Sequence, residues 1–103
     1  MARILWSDEA LQTLEAVGDY LIETAPQYAG ALMLALVEAT STLELFPRLG
    51  RVVPEFESED LRELIFESYR IVYTIDGDTV TVHAVLHSSM DVSARLRGWK
   101  EDA

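Results

Sequence analysis

Residues 68–87 read Ser68-Tyr69-Arg70-Ile71-Val72-Tyr73-Thr74-Ile75-Asp76-Gly77-Asp78-Thr79-Val80-Thr81-Val82-His83-Ala84-Val85-Leu86-His87. Tyr, Ile and Val favour extended backbone, apolar positions partly alternate, and an Asp-Gly pair stands where a tight turn must reverse the chain. This is predicted to be an antiparallel hairpin, Tyr69 to Ile75 against Val80 to His87. Immediately upstream, Leu61-Arg62-Glu63-Leu64-Ile65-Phe66 has the character of a strand, and Glu67-Ser68 leaves only a short link. A three-stranded antiparallel meander follows.

Before the meander the periodicity changes. Arg3-Ile4-Leu5-Trp6 suits a short strand, and Ser7 can cap a helix whose first residues, Asp8 and Glu9, complement the helix dipole. Along that helix Ala10, Leu14, Val17 and Leu21 recur at helical spacing, while Glu15, Asp19 and Glu23 keep to another side. Pro26 is tolerated in the first turn of a second helix, predicted to run to about Leu45 and to stop before Pro47. The expected fold is α+β, in the order β-α-α-β-β-β: an N-terminal strand, an antiparallel two-helix hairpin on one face of a three- to four-stranded antiparallel sheet, and a short C-terminal helix or tail.

The second helix breaks the amphipathic rule, because Ala31-Leu32-Met33-Leu34-Ala35-Leu36-Val37 is apolar all round. If Leu32, Ala35, Ala39, Leu43 and Phe46 face the sheet, then Met33, Leu34 and Val37 must meet the first helix or another chain. After the link Phe46-Pro47-Arg48-Leu49-Gly50-Arg51, residues 51–60 read as an irregular acidic surface loop whose charges are solvated.

Composition narrows the function classes. The 103 residues make one domain, 1–103, and half of them are hydrophobic, enough for one modest core. With no cysteine and only two histidines, neither a disulfide framework nor a metal site is expected, and no cofactor is implied. The longest apolar run, Ala31 to Val37, falls far short of the roughly 20 residues that span a bilayer, so no membrane association and a cytoplasmic location are expected. The net charge of −10 would repel phosphate backbones, so direct DNA binding is not expected.

Five motifs in order resemble the RelE/ParE toxin superfamily of bacterial type II toxin–antitoxin systems, and the similarity spans nearly the whole chain. They are Trp6-Ser7-Asp8-Glu9-Ala10, Pro26, Phe46-Pro47-Arg48-Leu49-Gly50-Arg51, Tyr69-Arg70-Ile71-Val72-Tyr73 and Val85-Leu86-His87. The resemblance implies a toxin neutralised by a cognate antitoxin, of either plasmid-stabilisation or stress type. RelE-like members cut mRNA in the ribosome, whereas ParE-like members poison DNA gyrase. Cutting RNA needs cations to stabilise charge developing on the phosphate and a group to move the proton. Laid along this chain, the nuclease branch's sheet lysines fall on Leu61 and Glu63, its arginine after the last strand on Met90 and its C-terminal tyrosine on Leu96; of that set only Arg70 remains.

The motifs therefore match the ParE-like branch better, and an enzyme is not expected. One departure stands out: where ParE-like toxins carry glycine and basic residues after the histidine, this chain reads Ser88-Ser89-Met90. Positive charge continues at Arg95, Arg97 and Lys100, with Trp99 among them, as a candidate target-binding element or an amphipathic final helix. Two alternatives stay open. One is a nuclease using His87 as general base and Arg70 as phosphate clamp; the other is a detoxified member that only binds antitoxin. In the plainer reading Arg70 pairs with Glu63 or Glu67, and His83, on the same strand face as His87, fills a half-buried position. Met33, Leu34 and Val37 are the candidate antitoxin anchors. Residues 1–46 hold seven acids against Arg3 alone, so the antitoxin's wrapping C-terminal segment is predicted to be rich in basic residues.

Overall fold

The computed structural model describes residues 1–87; the expected C-terminal helix or tail lies outside the described residues. Strand β1 (Arg3–Trp6) leads into helix α1 (Asp8–Thr24) and helix α2 (Pro26–Ser41), then a 3-10 turn (Thr42–Glu44) and strands β2 (Arg51–Val52), β3 (Leu61–Phe66), β4 (Tyr69–Asp76) and β5 (Thr79–His87). Ser7 caps α1 as its composition suggests, its hydroxyl accepting the Ala10 N–H at 3.0 Å. Pro26 opens α2 directly after the single residue Ala25, which folds the two helices into a hairpin. Asp76-Gly77-Asp78 turns β4 into β5, and Gly77 takes the left-handed φ of +59° that this tight reversal requires.

The sheet is wider than the meander. Its order is β1-β5-β4-β3-β2, with β3, β4 and β5 antiparallel as expected. β1 takes the outer edge of β5 in parallel, Arg3 to Trp6 beside Thr79 to Val82. A fifth strand, β2, forms inside the segment expected to be irregular, Arg51 and Val52 pairing with Glu63 and Arg62. The buried Glu63 carboxylate draws Arg51 onto the edge of β3.

The main core lies between the helices and the sheet. Ala10, Leu36, Leu43, Ile71, Tyr73, Val80, Val82 and Val85 are sealed there, with Trp6, Leu14, Leu32 and Met33 packed against them. Two expectations for α2 are corrected. It ends at Ser41 rather than near Leu45, because Thr40, Ser41 and Thr42 each turn a hydroxyl back to the carbonyl three residues earlier, all at 2.7 Å, and the last turn tightens to 3-10. Beyond that turn Phe46 points outward, 62% exposed, and Leu36 rather than Phe46 completes the buried stripe with Leu43.

A second, smaller core closes the opposite face. Val53, Leu61, Val72, Ala84 and Leu86 are buried there, and Phe56 from the 53–60 loop lies over them. A β-bulge divides β5: Val72 pairs with Ala84 but Tyr73 with Val82, which leaves His83 as the extra residue. The pleat changes phase at that point, so Val82 and Val85 both face the helices. His83 and His87 consequently do not share a face, contrary to simple alternation. His83 meets the Thr74 hydroxyl at 2.8 Å, while His87 sits beside α1.

The link Phe46 to Arg51 is held from below by Tyr73. Its hydroxyl donates to the Pro47 carbonyl at 2.7 Å and accepts the buried Gly50 N–H at 2.9 Å. Gly50 is needed here because a Cβ would lie 2.6 Å from the Glu63 carbonyl oxygen. Tyr73→Phe leaves the Gly50 N–H without its acceptor, and urea denaturation should show about 1–3 kcal/mol lost with the m-value unchanged.

Candidate functional site

On the sheet face turned away from the helices, alternation along β3 and β4 sets Glu63 and Arg70 on the diagonal, Glu63 opposite Val72 and Arg70 opposite Ile65. Glu63 is fully buried and accepts from two guanidinium groups, Arg51 Nε at 2.7 Å and Arg70 Nε through a short contact. The other end of Arg70 grips Glu55 with both terminal nitrogens, at 3.0 and 3.3 Å. The 53–60 loop, folded over by the Phe56 and Glu57 N–H groups on the Val53 carbonyl, delivers Glu55 to that position. Two guanidiniums thus meet two carboxylates, and the cluster is neutral. Burial opposes the charge on Arg70, but the hydrogen bonds and charges of Glu55 and Glu63 outweigh it and hold the group protonated beyond its ordinary range.

The loop's acids are therefore not merely solvated. Glu59 pairs with Arg62 at 3.1 Å, Asp60 with Arg48 at 3.4 Å, and Glu55 with Arg70. Arg48, Arg51, Arg62 and Arg70 are all in ion pairs, so four of the five arginines among the described residues are already engaged. At the positions of the nuclease branch's sheet lysines, Leu61 and Glu63 are both buried. Met90 and Leu96 lie outside the described residues.

Arg70 and His87 do not converge on one phosphate position. Arg70 belongs to the face away from the helices, whereas the His87 ring stands edge-on to Tyr69, centroids 5.8 Å apart, on the helix side. Of the apolar candidates on α2, Met33 is half-buried and runs its thioether along Gly18 of α1; Leu34 and Val37 are exposed, at 59% and 42%. Arg95, Arg97 and Trp99 lie outside the described residues.

Sequence reasoning did not find a cavity of about 430 Å³ between α1 and the ends of β4 and β5, walled by Ala16, Val17, Tyr20, Tyr69, Val85 and His87. Thr13 spaces its two sides: its buried hydroxyl donates to the Ala10 carbonyl at 2.7 Å and accepts the Val85 N–H at 2.9 Å. Thr13 and Ala16, small residues lining the cavity from α1, were the only local signal. Desolvation, with the Tyr20 charge second, raises the Tyr69 hydroxyl above its ordinary pKa.

Known proteins share both the sequence pattern and the fold of this chain. The sequence profile described as "ParE toxin of type II toxin-antitoxin system, parDE" matches residues 4–92. Toxin RelE2 of Caulobacter vibrioides is 30% identical over 90 residues, covering 86% of this chain and 98% of that one. Among solved structures, the chromosomal ParDE toxin–antitoxin system from P. aeruginosa superposes with a TM-score of 0.72 at 20% identity, over 84% of this chain and 96% of that one. The RelBE2 toxin–antitoxin complex from Mycobacterium tuberculosis gives 0.62 at 22% identity, over the same shares. The solved structures establish the fold; the profile and the curated relative carry the two different branch names.

Two consequences of the geometry are measurable. Arg70→Met leaves the buried Glu63 with Arg51 alone and should cost about 3–5 kcal/mol in urea denaturation, most of it recovered in Arg70→Met/Glu63→Met. Burial, against a weaker opposing pull from Glu9, lowers the His83 pKa below the ordinary 6.5. The unfolded chain then binds the extra proton first, so stability should fall as pH drops below about 6.5 and level off beneath the folded-state value. His83→Gln should remove that component from melting curves recorded between pH 7.5 and 5.

Proposed function

We propose, from the premise that this chain belongs to the ParE toxin family of type II toxin–antitoxin systems, that it acts by binding DNA gyrase and is neutralised by a co-expressed antitoxin. The observation that carries this choice is the neutral cluster of Arg51, Glu63, Arg70 and Glu55. A phosphoryl-transfer site needs cations free to meet developing charge, and a guanidinium already shared between two carboxylates meets it poorly. Inhibition by binding makes no such demand.

Within this reading the target contact belongs to Arg95, Arg97 and Trp99, where the sequence carries two further arginines beside an aromatic ring. The antitoxin's wrapping segment covers the exposed Leu34 and Val37 of α2 and runs beside the inward-turned Met33; large apolar side chains left in solvent suit such a partner. A cytoplasmic location follows from a gyrase target. A second reading, mRNA cleavage in the ribosome, takes its support from the RelE2 relative's name.

Pulse-labelling in the minutes after induction of this chain alone separates the two. DNA synthesis is expected to fall first, with a rise in the DNA-damage response. Early collapse of protein synthesis would instead support the nuclease reading, and the absence of either would leave an antitoxin-binding protein without toxicity.

A further inference from the structure

Helix α1 buries Ala10 and Leu21 along one face and leaves Ala16, on its flank, exposed. Thr13 ties the helix to β5, its hydroxyl bonded to the Ala10 carbonyl and the Val85 N–H. Beside that tie lies the 430 Å³ cavity. An engineered cavity of about 150 Å³ already accepts benzene, so this one has room for an aromatic ring and a second apolar side chain. Its walls are almost entirely carbon. The Thr13 hydroxyl is consumed at both of its bonds, and the other polar side chains of the lining are Gln12, Tyr20, Tyr69 and His87.

Charge states what would enter. α1 carries Asp8, Glu9, Glu15, Asp19 and Glu23 and no basic residue. Residues three and four apart lie on one helix face, which places Glu9, Asp19 and Glu23 along the same stripe as the cavity-lining Gln12, Ala16 and Tyr20. An apolar slot bordered by acids complements a peptide whose apolar anchors are flanked by lysine or arginine. We infer that this cavity is an anchor subsite for the wrapping segment of the antitoxin, taking one or two large apolar side chains from a stretch that is otherwise basic. This rests on the reading above that an antitoxin neutralises the chain. It adds a second grip, on the far helix from Leu34 and Val37.

The test uses the full chain and the purified product of the adjacent reading frame. Binding is measured by calorimetry at two salt concentrations, with each variant's fold checked by its melting curve. Ala16→Trp fills the cavity from the exposed side of α1 and should weaken binding by about tenfold to a hundredfold, the loss of one buried anchor. Asp19→Lys/Glu23→Lys, both on the surface, should weaken it several-fold at low salt and flatten its salt dependence. The Val17 and Val85 methyl signals should shift when the partner is added.

If wild type binds and both folded variants bind equally well, the subsite is wrong while the antitoxin reading stands. If wild type itself does not bind the product, the antitoxin reading falls and the subsite with it. If the valine signals change on deletion of residues 88–103 but not on addition of the partner, the cavity belongs to the chain's own C-terminal segment and the inference is overturned.

Discussion

A carboxylate with no exposure to water cannot remain charged in a protein interior without partners, and Glu63 is such a carboxylate in the middle of β3. Much of this structure follows from satisfying it. Arg51 is drawn to the edge of β3, and with Val52 it becomes β2. Arg70 reaches across from β4, and its remaining nitrogens require an acid of their own, which holds Glu55 and the 53–60 loop over the sheet. That loop brings Phe56 onto the second core. Were Glu63 apolar, neither the short strand nor the closed loop would have an electrostatic reason to form.

The same arrangement shapes what the molecule offers to others. A sheet face that could have displayed free cations displays a neutral, internally satisfied cluster instead. Among the described residues, two outward features lie apart from that cluster. Exposed apolar side chains lie along α2 and on the Phe46 to Leu49 link, which Tyr73 holds in place. The acids of α1 border a carbon-lined cavity on the helix side. The first is apolar throughout, and the second joins an apolar cavity to a border of acids.

Legibility in the sequence varied with the range of the interaction involved. The Ser7 cap, Pro26 at the head of α2, the Asp76-Gly77 turn and β3 from Leu61 to Phe66 all depend on residues a few positions apart, and each stands where composition placed it. The parallel seat of β1 was not legible, since no turn joins β1 to β5 and their pairing is decided only after the helices have packed. The outward turn of Phe46 depended on three successive hydroxyls that compete with the helix ladder just before it. Of the proposed site, the pairing of Arg70 with Glu63 was readable as a nearby opposite charge. The contributions of Arg51 and Glu55 were not.

By itself the sequence determined the succession of elements, the antiparallel meander, the acidic character of the first half and the family to which the chain belongs, because each is written in neighbouring residues or in composition. Tertiary structure alone decided which histidine faces which side and which cations stay available. A single extra residue at His83 reverses the phase of β5, and a charge is free or spent according to what folding brings within about 3 Å of it. The cavity beside α1 belongs to the same class: its walls come from a helix and a strand that meet through Thr13 and Val85, 72 residues apart in the chain.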